Sequence, residues 1–290
     1  MKKIAVFMLF GQSNATGHAV PMEKEDIIDT PLKNVFGLNR NPNQSFDNTE
    51  LIFSGYTSAG MNLAETQDNT YSVSNCLAKR WQSAIDAGEK LPDLYILHIS
   101  IGSQGLFGMW SPHRVDRTII PGVLGVCKMS MYPFALHVIK LMNKYFQDNA
   151  LSPDYLGIHW RGGSQEVRES IDRLRRELYG DYVTLFEGIR NAVGFDAPIV
   201  IHKLPFVSFM NKNDPSGAFL ENMNYINGIF DTLSKDLPCV SVFDSRNYPK
   251  YDESVENYNM LRGDLIHYLG ETNDWVASEI LKKYKEERNA

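Results

Sequence analysis

Short apolar runs alternate along most of the chain with stretches that have helical spacing. Runs at 4–10, 94–101, 155–160, 198–204 and 239–243 have the length and composition of buried β-strands. Between the runs, apolar residues recur every three or four positions, as they do on one face of an amphipathic helix. Four such series are Val73, Leu77, Trp81 and Ile85; Val167, Ile171, Leu174 and Leu178; Tyr182, Leu185, Ile189 and Val193; and Phe219, Met223, Ile226 and Phe230.

This alternation predicts an α/β fold. Parallel strands need crossover connections, and helices in those connections cover both faces of the sheet. We therefore expect a three-layer α/β/α sandwich around a central, mainly five-stranded parallel sheet. No Pro/Ser-rich linker and no internal repeat interrupts the chain, so residues 1–290 are predicted to form one domain. Residues 21–70 are polar and weakly periodic, which predicts a long surface loop near the strand ends.

Composition narrows the possible partners. The chain is 43% hydrophobic and 22% charged, as globular proteins are, and its net charge is −6. A negative protein is poorly suited to bind nucleic acid or an anionic membrane, because phosphate binding needs a positive field. The three cysteines (Cys76, Cys127 and Cys239) are too few and too scattered for a disulfide framework. They are predicted to be small buried apolar residues in a reducing compartment.

The N-terminal segment has two interpretations. Two lysines followed by an apolar run at 4–10 resemble the start of a secretion signal, but the run is short and no small-residue cleavage site follows it. Turn-forming residues follow instead, which favours a buried first strand and a cytoplasmic protein. No apolar window of about 20 residues is present, so no membrane span is expected.

A dense run of charges occupies residues 166–177. Its apolar residues keep helical spacing, and its opposite charges lie three or four positions apart. The run therefore predicts the solvated face of a helix rather than a binding site.

The segment that follows the first strand is a candidate for chemistry. Its sequence is GQSNATG (residues 11–17), and a glycine at the carboxyl end of a strand allows a sharp turn that presents Ser13 over the sheet edge. If a helix begins near Ser13, its backbone amides favour a developing oxyanion there. The alternative for this segment alone is an ordinary turn in which Ser13 caps a helix.

A second candidate lies near the C-terminus, where Asp264 precedes His267 by three positions. That spacing lets the carboxylate hold one imidazole nitrogen while the other faces a partner. A histidine oriented in this way can accept a serine proton and later return it to a leaving group. His98, His159 and His202 lie within predicted strands and are expected to be structural.

In this α/β chain the candidate serine lies near the N-terminus and the Asp-x-x-His motif near the C-terminus. SGNH hydrolases have their catalytic residues in the same order. The sequence resembles their carbohydrate-esterase branch, the sialate O-acetylesterase and acetylxylan esterase-like proteins, over nearly its whole length. The family's GQSN-x-x-G block matches residues 11–17, and its strand with a glycine turn and a following tryptophan matches ISIG (99–102), Gly105 and Trp110. Its W-x-Q-G-E block falls on WRGGS (160–164), and its D-x-x-H block is formed by residues 264–267.

The resemblance implies a role for each matched residue. Ser13 is the expected nucleophile, His267 the general base and Asp264 the carboxylate that orients it. The backbone N–H groups of Ser13 and Gly102 are expected to form part of an oxyanion hole. Trp110 and Trp160 could face a sugar or lie in the core. The expected substrate contacts are Gln12, Asn14, Gln104, Trp110 and Arg161.

The third block departs from the family pattern. Gly162 stands where the family has the glutamine that completes the oxyanion hole, and Ser164 stands where it has a glutamate. Loss of one oxyanion donor typically lowers the rate by ~10²–10³-fold. Three alternatives remain open: Gln165 supplies the donor, Gln104 supplies it, or the hole is weaker.

These features together predict a serine esterase that removes O-acetyl groups from a carbohydrate through an acyl-enzyme intermediate. An esterase or thioesterase for other acyl groups, and a non-catalytic carbohydrate-binding relative, are the alternatives. The chain contains no H-E-x-x-H motif, no Cys/His cluster with ligand spacing and no phosphate loop, so no metal and no cofactor are expected. The expected partner is an acetylated saccharide, and the sequence leaves the oligomeric state open.

Overall fold

One seven-stranded sheet forms the centre of the protein. The computed structural model describes residues 1–18, 20–38, 52–59, 61–64, 70–114, 120–121, 127–128, 130–194 and 196–289. The strand order is β3-β2-β4-β1-β7-β8-β9, and every neighbouring pair is parallel except the antiparallel pair β2–β3. The strands are β1 (Lys2–Gly11), β2 (Val35–Leu38), β3 (Phe53–Gly55), β4 (Asp93–Ser100), β7 (Leu151–Arg161), β8 (Ile199–His202) and β9 (Val240–Phe243); a separate antiparallel pair is formed by β5 (Ile120–Pro121) and β6 (Cys127–Lys128).

The predicted strand count is wrong by two. All five predicted strands are present, but β2 and β3 come from the polar stretch 21–70, which was expected to be a surface loop. Both strands are short, and β3 lies at the edge of the sheet. Such strands are stabilised by a neighbour distant in sequence, here β4 for β2, rather than by a long apolar run of their own. Residues 39–51, 60 and 65–69 of that stretch lie outside the described residues.

Helices cover both faces of the sheet, as predicted for a sandwich. Alternate side chains of β1 point to opposite faces. Those of Ile4, Val6, Met8 and Phe10 lie in one apolar cluster, and those of Ala5, Phe7 and Leu9 lie in the other. The helices are α1 (Ser13–Thr16), α2 (Val73–Asp86), α3 (Met131–Asp148), α4 (Ile171–Arg173), α5 (Tyr179–Val193), α6 (Val207–Asn213), α7 (Ala218–Asp236) and α8 (Gly270–Asn289). Residues of α3, α5 and α7 pack in the first cluster, and residues of α2 and α8 pack in the second.

The charged run 166–177 is helical only in part. Glu166–Arg168 is a short 3-10 turn, and α4 begins after Ser170, whose hydroxyl accepts a hydrogen bond from the Arg173 backbone N–H. A π-turn at Leu174–Leu178 then joins α4 to α5. Most of the run is solvated as predicted, but Glu166 is buried. That exception matters for the site described below.

The cysteines agree with the prediction only in part. Cys76 is a buried free thiol, whereas Cys239 is exposed and has a left-handed backbone (φ 52°) just before β9. The side chain of Cys127 lies outside the described residues. Across the part of the chain that the structure describes, no helix is both long and apolar enough to cross a membrane.

The carboxyl ends of β1, β4 and β7 meet at one place. Gly11 at the end of β1 pairs with Ser100 on one side and with Arg161 on the other. Gly11 has a φ of +140°, and a Cβ there would collide with the Arg161 carbonyl, so only glycine fits. In open α/β sheets ligands bind outside this end of the strands.

Candidate active site

Ser13 is the first residue of α1, directly after the central strand. The turn is closed by the Gln12 carbonyl, which accepts hydrogen bonds from the backbone N–H groups of Ala15 (2.8 Å) and Thr16 (3.1 Å). Gly17, with a left-handed φ of 74°, ends the helix after one turn. Within the described residues the Ser13 hydroxyl makes no hydrogen bond, and its side chain is half-buried. The local sequence thus presents an unoccupied hydroxyl at the carboxyl end of β1.

Asp264 and His267 form the pair that their spacing predicts. Asp264 Oδ2 lies 2.9 Å from His267 Nδ1, and Oδ1 accepts the backbone N–H groups of Ile266 (3.2 Å) and His267 (3.0 Å). The carboxylate therefore fixes both the turn and the ring. An ionised carboxylate at Nδ1 favours the tautomer with the proton there, which leaves Nε2 as an acceptor.

The environment keeps this pair in the state that a general base needs. Burial lowers the pKa of His267; Asp264 opposes that effect, while His18 and Arg262 add to it. Burial by itself would raise the pKa of Asp264, but hydrogen bonds from the backbone and ring of His267 hold it below its usual value. At neutral pH the imidazole is therefore neutral and the carboxylate ionised.

Asn14 brings the serine and the histidine to the same place. Its Nδ2 donates to the Ile266 carbonyl at 2.9 Å, and its Oδ1 accepts the Tyr268 backbone N–H at 3.4 Å. The side chain next to Ser13 thus holds both chain neighbours of His267. The ring of His18, just beyond α1, lies 5.0 Å from the His267 ring. The structure shows no direct hydrogen bond between Ser13 and His267.

Arg161, predicted to contact substrate, lies underneath this arrangement instead. It is only 3% exposed, and its Nη1 donates to the Asn14 carbonyl (2.9 Å) and to Asn273 Oδ1 (2.8 Å). Its guanidinium lies 4.4 Å from the centre of the Tyr268 ring. Arg161 therefore supports two segments from inside the protein: residues 11–17, which carry Ser13 (the serine loop), and residues 262–268, which carry His267 (the histidine loop).

Gln12 and Glu166 connect the loops that follow β1, β4 and β7. Gln12 is buried, and its Oε1 accepts hydrogen bonds from the Ser164 backbone N–H (3.2 Å) and hydroxyl (2.8 Å). Its Nε2 lies 3.5 Å from Glu166, which also accepts the Leu106 backbone N–H. The expected substrate contact by Gln12 is therefore wrong, because the side chain is occupied inside the protein. Glu166 was missed, since nothing in a charged run shows which member folds inward.

Trp110 and Trp160 are core residues rather than sugar-facing surfaces. Both are fully buried, and their rings meet edge to face with centroids 5.1 Å apart. Trp110 Nε1 donates to the Gly11 carbonyl at 3.1 Å, so this ring fixes the turn that precedes Ser13. The substrate contact expected of Trp110 is incompatible with that burial.

The candidate oxyanion donors lie at the same end of the sheet. Gly102 follows β4, and the Ile101 backbone N–H donates to the Gly11 carbonyl at 3.2 Å, which places Gly102 beside the serine turn. Gln104 and Gln165 line one cavity of about 270 Å³, next to Glu166. Neither Ser13 nor His267 lines that cavity, so the donor role of either glutamine stays a prediction.

Packing leaves no room for a side chain at Gly162. A Cβ at this position would lie 2.6 Å from the indole of Trp160, closer than real Cβ contacts allow. Trp160 is fully buried and has no room to retreat. Position 162 in this chain therefore accepts no side chain while Trp160 stays in place.

The three strand histidines are buried, as expected. Burial lowers the pKa of His98 to about 3, and its Nε2 lies 2.7 Å from Ser100 Oγ. His159 Nδ1 lies 2.9 Å from His202 Nε2 in the interior between β7 and β8.

Comparison with known proteins supports the fold. No family model matches the chain, and no curated protein sequence matches it. Among solved structures, NanS aligns over 98% of each chain with a TM-score of 0.61 and 14% identity. A protein from Arabidopsis thaliana aligns over 97% of this chain and 98% of its own, with a TM-score of 0.59 and 11% identity. The likeness is one of fold. A carbohydrate acetylesterase from Xanthomonas citri aligns over 82% of this chain and 49% of its own, with a TM-score of 0.38 and 9% identity.

Proposed function

We propose that this protein is a serine esterase that removes O-acetyl groups from a carbohydrate. The observation that carries the proposal is the Asn14 clamp, which holds an oriented Asp264–His267 pair against the residue next to Ser13. A nucleophilic serine site consists of a carboxylate that orients an imidazole and a serine hydroxyl that the imidazole can deprotonate. Asp264, His267 and Ser13 are the corresponding groups here.

The proposed reaction has two halves. Ser13 Oγ attacks the ester carbonyl carbon while His267 Nε2 takes its proton, and the carbonyl oxygen becomes an oxyanion. The intermediate collapses, the bond to the sugar oxygen breaks, and His267 returns the proton to that oxygen. Water then attacks the acetyl-serine, again losing a proton to His267, and acetate leaves as Ser13 recovers its hydrogen. The first step requires a hydrogen bond between Ser13 Oγ and His267 Nε2, and such bonds are often longer before substrate binds.

Backbone donors would stabilise the oxyanion. The N–H groups of Ser13 and Gly102 are the first two, and Gln165 or Gln104 would be the third. Because Gly162 has no room for a side chain, a third donor can come only from elsewhere in these loops.

Charged side chains near the histidine loop are available to a hydrophilic substrate. A cavity of about 410 Å³ opens beside the histidine loop and is lined by Arg262 of that loop together with Glu23, Glu271 and Tyr71. Val20, Pro21 and Leu269 also line this cavity, and neither Ser13 nor His267 does. Its charged side chains are the groups there that would bind the hydroxyl groups of a saccharide. The assignment of an acetylated sugar rests on the resemblance described above.

The experiment is an esterase assay with p-nitrophenyl acetate, p-nitrophenyl octanoate and an O-acetylated monosaccharide. We expect hydrolysis of the acetates, little hydrolysis of the octanoate, and loss of activity in Ser13→Ala. Ser83→Ala, on the exposed face of α2, is the matched control and should leave the rate unchanged. Preference for octanoate would favour the acyl-esterase alternative. No hydrolysis of any ester by the wild type would favour the non-catalytic carbohydrate-binding alternative.

A further inference from the structure

A second imidazole lies beside the candidate general base. The ring centres of His18 and His267 are 5.0 Å apart, and the ring planes are tilted by 51°. His18 follows the serine loop directly, whereas His267 belongs to the histidine loop near the other end of the chain. The sequence gives no signal for this contact, and the proposed reaction leaves His18 without a role.

The backbone holds His18 at this place, although its side chain is exposed. The His18 N–H donates to the Ser13 carbonyl at 2.9 Å. The residue between α1 and His18 is Gly17, where a Cβ would lie 2.7 Å from the Ser72 backbone nitrogen, so this turn is packed directly against the start of α2. The His18 backbone is therefore fixed relative to Ser13, and only rotation of its side chain can separate the two rings.

The contact restricts a ring that is otherwise held at one atom. Asp264 Oδ2 lies 2.9 Å from His267 Nδ1, and within the described residues no hydrogen bond reaches Nε2. A ring held at one nitrogen can still tilt about that bond. The proposed reaction needs Nε2 to point at Ser13 Oγ, so a group packed against the ring helps to set its direction.

The same contact affects the charge of the base. Burial is the main influence that lowers the pKa of His267, and three nearby groups modify it. Asp264 and Arg262 belong to the histidine loop, and His18 faces the ring from beyond α1. Asp264 favours a positive charge on His267, whereas Arg262 and a protonated His18 oppose it. Histidine side chains in solvent gain their proton in mildly acidic solution, the range in which a general base must stay neutral.

We infer that His18 is a positioning residue for the general base: its ring packs against His267, and its positive charge keeps His267 unprotonated in mildly acidic solution. The inference rests on the proposed function for the role of His267 as a base. The ring contact and the repulsion between the two imidazoles do not depend on it. The consequence for an esterase is activity at lower pH than Asp264 and His267 alone would allow.

The first test measures the protonation of His267 directly. Its ring Cε1–H NMR signal, identified by its absence in His267→Ala, is titrated with pH in the wild type and in His18→Phe, which keeps a ring but removes the charge. The midpoint should be about 0.5–1 pH unit higher in His18→Phe, as for two unit charges about 5 Å apart in surroundings close to water. Equal midpoints would overturn the inference. The control is His113→Phe, which changes an exposed histidine that contacts Asp181 and should leave the midpoint unchanged.

The second test separates the ring of His18 from its charge. The pH profile of kcat/KM for p-nitrophenyl acetate should have its acid limb at higher pH in both His18→Phe and His18→Ala. At the high-pH plateau, His18→Ala should lower kcat about 3- to 10-fold because the ring contact is lost, and His18→Phe should recover most of that loss. A raised KM with an unshifted acid limb would make His18 a substrate contact and overturn the inference.

The two tests also distinguish failure of this inference from failure of the esterase proposal. The NMR titration needs no substrate, so it decides on the repulsion even if the wild type hydrolyses no ester. A shifted midpoint without any ester hydrolysis would reject the esterase proposal and still support the interaction of His18 with His267. Ester hydrolysis with equal midpoints would support the esterase and reject the role of His18.

Discussion

Replacing Asn14 with alanine tests whether the clamp organises the site. The change removes a 2.9 Å hydrogen bond to the Ile266 carbonyl and a weaker 3.4 Å bond from the Tyr268 backbone. Asn14 is 8% exposed, so water has little access to the Ile266 carbonyl and the Tyr268 backbone N–H once they lose this partner. The loss of one good and one weak hydrogen bond, with a buried carbonyl left unpaired, should lower the free energy of unfolding by about 2 kcal/mol.

That energy predicts two measurable effects. Tm should fall by about 3 °C, since an unfolding entropy of about 2.1 cal/mol/K per residue makes 1 kcal/mol worth about 1.6 °C in a chain of 290 residues. The kcat for p-nitrophenyl acetate should fall about 10- to 100-fold. Without the Asn14 hydrogen bonds the histidine loop can shift, and a displacement of the base by up to about 1 Å lowers the rate by up to about 100-fold. KM should change little, since Asn14 is turned towards the protein interior.

The assay pairs initial-rate kinetics with thermal unfolding on the same samples. The control is Asn149→Ala, which removes a similar bond of 2.8 Å at an exposed helix end far from Ser13 in sequence. We expect the control to keep the wild-type rate. If Asn14→Ala loses stability but keeps kcat within about threefold of wild type, the clamp does not position His267.

The other predictions concern the same site. Ser13→Ala and His267→Ala should each lower kcat by several decades, and the double variant should be hardly slower than either; losses that multiply would count against a shared step. The kcat/KM profile should rise with pH through a pKa below 6.5, because burial lowers the pKa of His267 and only the neutral ring accepts a proton; a rise centred above 7 would contradict this. Gln165→Ala should lower kcat ~10²-fold with KM unchanged if its amide meets the oxyanion, and a rate within about threefold of wild type rejects that role. Gly162→Gln should lower Tm by several degrees rather than raise the rate, since its Cβ meets Trp160; an unchanged Tm would show that the indole can move.

The parts of the fold that the sequence predicts are those with a strong local period. The helices α2, α5 and α7 and the strands β1, β4 and β7 carry their own apolar pattern, and all of them are present. β2 has only four residues and depends on β4 for its pairing, so no local signal distinguishes it from a loop. Long-range pairing decides such strands.

The same distinction applies to the site. Asp264 and His267 interact across one turn, so their spacing predicts the contact. Arg161, Glu166 and Gln12 are polar residues whose burial depends on partners far away in the sequence. Their roles inside the protein follow only once three strand ends have been brought together. A charged residue is usually predicted to lie at the surface, and for Arg161 and Glu166 that prediction is wrong.

The position of β1 has a consequence for synthesis. This strand is made before either neighbour, yet it lies in the middle of the sheet and pairs with residues 93–100 and 151–161. At about 5–20 residues per second, β1 waits roughly 5–20 s on the ribosome for its first partner. During that time an apolar strand has two open edges, which is the condition under which nascent chains aggregate or engage chaperones. Slowing translation between residues 11 and 93 should therefore lower the soluble yield, whereas slowing it after residue 161 should matter much less.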